Sequence, residues 1–207
     1  MDTVRLHPLW RLVRRSAMPG PRHLGLWAQR ILVAWLWRWC SIADCDGIPV
    51  AVYDAPQATA LRARVAAGLA LVQELDPRRY RLVRSRLRGL LVLRVGNDAF
   101  VPGAGVCVLR QQTLESYSEA VTAAAIVHEA THARLAATSA LCSNKRIESL
   151  CIREQIDFCR RLPLERYPNS AAYIRYLEGW IGVWPVRIRF GRRYRALIAR
   201  HANPPAA

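Results

Sequence analysis

A chain of 207 residues, 52% hydrophobic and 22% charged, carries enough apolar material for one sizeable core, which excludes a disordered chain. Its net charge of +16 rests on 31 basic residues, all arginine except Lys145; a bias so one-sided looks partly compositional, so it predicts attraction to anionic surfaces without naming a partner. Six cysteines (Cys40, Cys45, Cys107, Cys142, Cys151, Cys159) contain no Cys-x-x-Cys pair, which excludes a disulfide framework and suggests reduced thiols in a cytoplasmic setting.

In chain order, residues 1–46 read as a Trp/Arg-rich helical arm. Leu24 to Cys40 carries four of the seven tryptophans and follows Arg5, Arg11, Arg14, Arg15 and Arg22. Arg30 and Arg38 leave only a short uncharged run between them, against the roughly twenty residues a membrane span needs. No small-residue cleavage site follows, so the stretch does not resemble a signal peptide. The arm is expected to dock on the catalytic domain or a partner, with an anionic membrane interface as the alternative. Pro19, Gly20 and Pro21 mark a hinge within it.

Ile48 to Tyr53 reads as a first strand. Leu61, Val65, Leu69 and Val72 recur at helical spacing and predict a helix over Ala58 to Leu75. Asp76 and Pro77 are a cap and first residue for a second helix running to about Arg86. Leu90 to Val95 and Val106 to Arg110 are β-rich runs, separated by turn signals at Gly96-Asn97-Asp98 and Pro102-Gly103-Ala104-Gly105. Arginines cluster at Arg78 to Arg88 and again at Arg187 to Arg200. Solvated faces explain them more simply than a nucleic-acid surface, and nucleic acid is the less favoured partner.

The most informative motif follows. His128-Glu129-Ala130-Thr131-His132 spells HExxH in a stretch free of Gly and Pro from Glu115 to Leu162. Ser116-Tyr117-Ser118-Glu119 reads as a capping box opening this helix, which should run about five turns. Val121, Ala125, His128, His132 and Leu135 then share one face. Two imidazoles four residues apart can reach one metal ion, while Glu129 can face a water on that ion. Zinc in a hydrolytic site takes three protein ligands and keeps a position for water, so a third ligand is required.

The remaining histidines, His7, His23 and His201, lie far from the motif in sequence, which leaves a carboxylate on a later helix. Asn144 to Leu162, closed by Pro163, reads as that helix. Its apolar face runs through Glu148, Cys151, Ile152, Gln155, Ile156, Cys159 and Leu162. A carboxylate there is costly unless paired or metal-bound, which makes Glu148 the preferred ligand. Glu154, on the charged flank, is the runner-up. Cys151 and Cys159 read as small hydrophobes. Ser170 to Ile181 should be another helix, and Val186 to Phe190 a short strand or the start of a basic tail.

HExxH on one helix and a glutamate on the next resembles the zincin metallopeptidases of the gluzincin type, over roughly Leu90 to Leu162. The family's usual Asp one turn beyond the third ligand is Ile152 here, so the likeness is to a small, divergent form. The resemblance implies an α+β, zincin-like domain with a short antiparallel or mixed sheet, placed at residues 47–182 between the arm (1–46) and a basic C-terminal tail (183–207). It implies Zn2+ held by His128, His132 and Glu148. A metal-bound water activated by Glu129 would then hydrolyse a peptide or protein substrate. Tyr173 or Tyr176, with Arg175 nearby, would stabilise the oxyanion. Val106, Val108 and Arg110 would pair with the substrate should their strand be an exposed edge. The expected location is cytoplasmic, peripheral at the inner face of a membrane. The competing reading is a non-catalytic basic module for membrane or nucleic acid, with the HExxH box structural or decayed.

Overall fold

The computed structural model describes residues 24–136 and 143–181. The tail at 183–207, its Val186 to Phe190 segment and the hinge at Gly20 lie outside the described residues. In chain order the elements are α1 (Leu24–Trp37), β1 (Ser41–Cys45), β2 (Ile48–Val52), a 3₁₀ turn, α2 (Ala58–Leu75), α3 (Pro77–Arg86) and β3 (Gly89–Leu93). They continue with β4 (Ala99–Val101), β5 (Val106–Arg110), α4 (Gln111–Ser116), α5 (Glu119–Leu135), α6 (Asn144–Cys159) and α7 (Ser170–Glu178). The class is α+β, built on one mixed sheet.

Strand order in the sheet is β1-β2-β3-β5-β4. The three central strands β2, β3 and β5 are parallel, and β1 and β4 pair antiparallel at the two edges. Central strands covered on both faces must be apolar throughout, and these are. Alternation divides their side chains between two cores. Val50, Val52, Leu90, Val92, Cys107 and Leu109 join the core under the main helical layer. Ala51, Leu91, Val106 and Val108 join a smaller one beneath Val33 and Trp37 of α1.

The N-terminal helix is thereby part of the layered unit. Gln29 and Arg30 clamp Gly103 at the far side of the sheet: its N–H donates to Gln29 Oε1 at 3.0 Å, and its carbonyl accepts from Arg30 Nε at 2.5 Å. Trp35, Trp39 and Leu32 point outward and are exposed. The boundary expected between residues 46 and 47 falls inside the β1–β2 hairpin, whose two-residue turn is Asp46-Gly47. Both have positive φ, 54° and 78°, the conformation that tight hairpins demand and that Asp-Gly supplies. Among the described residues no helix is long and apolar enough to cross a membrane.

The sheet is of the mixed kind: the runs at 90–95 and 106–110 contribute parallel neighbours, because the chain between them first builds β4 outside β5 and then turns back to insert β5 in the middle. Two expectations are corrected. The capping box is not formed. Ser116 ends α4, Ser118 is the N-cap of α5 without a side-chain bond, and Glu119 is drawn away to Arg166 Nη2 at 2.6 Å and to the Tyr167 hydroxyl. The second long helix ends at Cys159, ahead of the stop at Pro163.

Candidate metal centre

Two helices build the site. On α5 the side facing the protein is small and apolar: Ala120, Ala123, Ala124, Val127 and Ala130 are buried. Small side chains let neighbours come close, and at Gly68 of α2 even an added Cβ would lie 2.9 Å from Thr122 Cγ2. This seats α5 deeply between α2 and α6. The face holding Val121, Ala125, His128 and His132 borders a cavity of about 690 Å3, with Ala125 also packed into the main core.

α6 starts at Ser143, whose hydroxyl accepts from the Arg146 N–H at 3.4 Å. One turn in, Glu148 meets both histidines. Its Oε2 lies 3.5 Å from His128 Nε2 and its Oε1 3.2 Å from His132 Nε2, while the two Nε2 atoms are 3.1 Å apart. Donor atoms on a tetrahedral zinc, with bonds of about 2.0–2.1 Å, stand about 3.3–3.4 Å apart. The N···N separation falls just below that value, and the carboxylate meets each ring with a different oxygen, at separations either side of it. Burial alone would raise the Glu148 carboxyl, but hydrogen bonds and charge from the His128 and His132 rings in their protonated form outweigh it and hold the pKa down to about 2.

The tautomer of His128 follows from its other nitrogen. Nδ1 lies 3.1 Å from Gln155 Oε1, and the Gln155 amide is oriented by donating Nε2–H to the Tyr173 hydroxyl at 3.0 Å. The carbonyl oxygen can only accept, so the neutral ring carries its proton on Nδ1 and turns the Nε2 lone pair toward His132 and Glu148. A lone pair facing a carboxylate is repulsive unless a cation or proton sits between them. The donor set therefore fits a divalent metal of zinc's preferences.

Glu129 is 5% exposed, and its Oε2 is buried without a hydrogen-bond partner. The backbone N–H of Phe100, on edge strand β4, donates toward the carboxylate. Burial, then the nearby charges of Asp98 and Glu148, push its pKa well up. Asp98 is a neighbour that sequence reading missed: Oδ1 accepts the Arg110 N–H at 2.6 Å and Oδ2 the Thr113 hydroxyl at 3.2 Å, pinning the start of β4 to the end of β5. Burial raises its pKa as well. The cavity wall thus holds Asp98, Glu129 and Glu148 against one arginine, Arg110, with Phe100, Tyr117, Tyr173, Tyr176 and Trp180 as aromatic surface.

The sequence candidates sort as follows. His128, His132, Glu129 and Glu148 come together. Glu154 does not reach the histidines: Arg79 Nη2 holds it at 2.8 Å and Arg134 Nη2 at 2.9 Å. Tyr173 and Tyr176 stack at 6.3 Å between ring centroids and border the cavity, with the Tyr173 hydroxyl engaged by Gln155. Arg175 is exposed and does not border it. Val106, Val108 and Arg110 are not on a free edge, since β5 is paired on both sides; the free edge beside α5 belongs to β4. Cys151, read as a small hydrophobe, has its Sγ and nitrogens of His128 and His132 all within 4.8 Å of one another. Glu148 is the preferred third ligand because it borders the cavity, whereas Cys151 is fully buried. Gln155 was visible as an amide on the apolar face of α6, a position that demands a polar partner. Compared with known proteins, the chain matches no family model, no curated protein and no solved structure.

Proposed function

We propose that this chain is a zinc-dependent metallopeptidase in which His128, His132 and Glu148 hold the metal and Glu129 is the general base. One observation carries the reading: two imidazole Nε2 atoms and a carboxylate converge at 3.1, 3.2 and 3.5 Å beside a cavity. Bound zinc would supply Lewis acidity, acidifying a water molecule and polarising a peptide carbonyl. Every other part belongs to the chain. Glu129 takes the proton of the attacking water and delivers it to the leaving amine. Its unpartnered Oε2 supports this role, because a buried carboxylate oxygen without a donor is costly until one arrives.

Gln155 holds His128 in the ligating tautomer, and Tyr173 holds Gln155. Tyr173 and Tyr176, which both border the cavity, are the candidates for the oxyanion. The substrate strand is assigned to β4, whose outer edge lies beside Glu129 and whose main chain can pair with an extended peptide. The substrate is a peptide or protein segment that threads an acidic, aromatic-walled cavity.

Purified protein should carry one zinc per chain and cleave a denatured substrate. Glu129→Gln should keep the zinc and lose activity by about 10²–10⁴-fold, the span general-base catalysis contributes. A wild type without zinc affinity, or a Glu129→Gln variant as active as wild type, would end this reading.

A further inference from the structure

We infer that Cys151 is a fourth protein ligand to the same metal, so that the resting centre is closed and opens only when the thiolate leaves. The inference rests on the metal-site reading above and asks more of it. Three observations carry it. A nitrogen of His128, a nitrogen of His132 and Cys151 Sγ lie within 4.8 Å of one another, the one such grouping among the described residues. Cys151 sits three residues after Glu148 on α6, so both project from one face of that helix toward α5. Cys107 and Cys159 are equally buried but belong to no such group, so burial of a small hydrophobe does not account for where Cys151 stands.

The geometry needs little adjustment. With Zn–S of about 2.3 Å and Zn–N of about 2.0–2.1 Å, a tetrahedral centre sets its S···N edges near 3.5–3.6 Å. The sulfur and the two ring nitrogens lie within 4.8 Å of one another, so any closure to those edges falls to a rotation about χ1, the only torsion that positions a cysteine sulfur. On coordination the thiol proton leaves for solvent and a sulfur–metal bond forms, with no change of oxidation state. A His2GluCys set fills all four positions, as structural zinc centres do, and catalysis needs one of them vacated. Cys151 is the ligand to leave, because it is fully buried and does not border the cavity, whereas Glu148 does. A thiolate in the set also shifts preference toward zinc, cobalt and cadmium over magnesium and manganese.

Cobalt substitution tests this without reference to activity. The full chain loaded with one Co2+ should show intense thiolate-to-cobalt charge-transfer absorption in the near ultraviolet. Cys151→Ser should still bind one Co2+ but lose that absorption, and its zinc affinity should fall about tenfold or more. X-ray absorption of zinc-loaded wild type needs no variant and should place one sulfur at about 2.3 Å from the metal. Cobalt bound one-to-one with no charge-transfer band, or only nitrogen and oxygen scatterers around zinc, overturns Cys151 and leaves the His128–His132–Glu148 site standing. A wild type that binds neither metal overturns both.

Discussion

Two glutamates on α6 meet opposite fates, and the contrast identifies the site. Glu154 lies between Arg79 and Arg134, and Arg79 also holds Asp76, which Arg161 faces from 3.4 Å. Guanidinium groups are charged at every accessible pH, so this cluster is neutralised by the chain itself. Glu148 faces only two imidazoles, one of them turned lone pair first by Gln155. Among the described residues no arginine or lysine pairs with Glu148, while Glu129 and Asp98 add further acidic groups nearby. One carboxylate is finished by protein; the other is finished by whatever cation arrives.

Paired substitutions break or sharpen this comparison. Glu148→Gln should weaken zinc by more than about a hundredfold, because it removes a ligand where even outer-shell changes cost about 10–100-fold. Glu154→Gln should leave zinc affinity alone and cost about 1 kcal/mol of stability, since the group is partly exposed and its two arginines remain solvated. Isothermal titration with zinc and urea denaturation of both variants measure the two effects. Equal zinc affinities would show the two carboxylates to be equivalent after all. Next in size is Gln155. Replacement by Leu keeps the apolar packing on α6 but frees the His128 ring, and zinc affinity should fall about 10–100-fold. Gln155→Glu keeps an acceptor at Nδ1 and should restore it, an outcome that a merely structural role for Gln155 does not give.

The part of the site written in sequence was the part governed by helical spacing. His128, Glu129, His132 and Glu148 follow from i, i+4 geometry and from the cost of a carboxylate on an apolar face; α2 and α6 start where their periodicity puts them, and α3 at its Asp76 cap. What escaped was set by tertiary order. Two β-rich runs with a turn between them look like a hairpin, and only the insertion of β5 between β3 and β4 makes them parallel. Asp98 reads as a loop residue until that insertion brings it under Arg110 and Thr113. Cys151 and Gln155 were correctly placed on the buried face, but their partners come from α5 and α7, at distances that no spacing rule supplies. The β1–β2 hairpin is a different case. Asp46-Gly47 between two short runs was there to be read, and the tryptophans beside it drew attention to an arm instead.

The last expected effect concerns the arginine cluster alone and depends on pH. Burial would raise the Asp76 carboxyl, but the Arg79 amide at 3.0 Å and its guanidinium at 2.6 Å more than offset this and lower it. Glu154 is lowered likewise: burial opposes, and Arg79 then Arg134 prevail. Folded values below the unfolded ones, about 3.9 for Asp and 4.3 for Glu, mean that the unfolded chain takes up protons first as pH falls. The stabilisation is therefore complete above about pH 5 and is lost progressively as pH drops through the folded values. Arg79→Met should cost about 1–2 kcal/mol at pH 7, limited because Arg161 still faces Asp76 and Arg134 still holds Glu154. The stability gap to wild type should narrow as pH falls below about 4, and its zinc affinity at pH 7 should equal that of wild type. A gap that stays constant from pH 7 to pH 3 would mean Arg79 contributes by packing alone. A fall in zinc affinity would mean the two charged regions are coupled through α6, which their separate partners argue against.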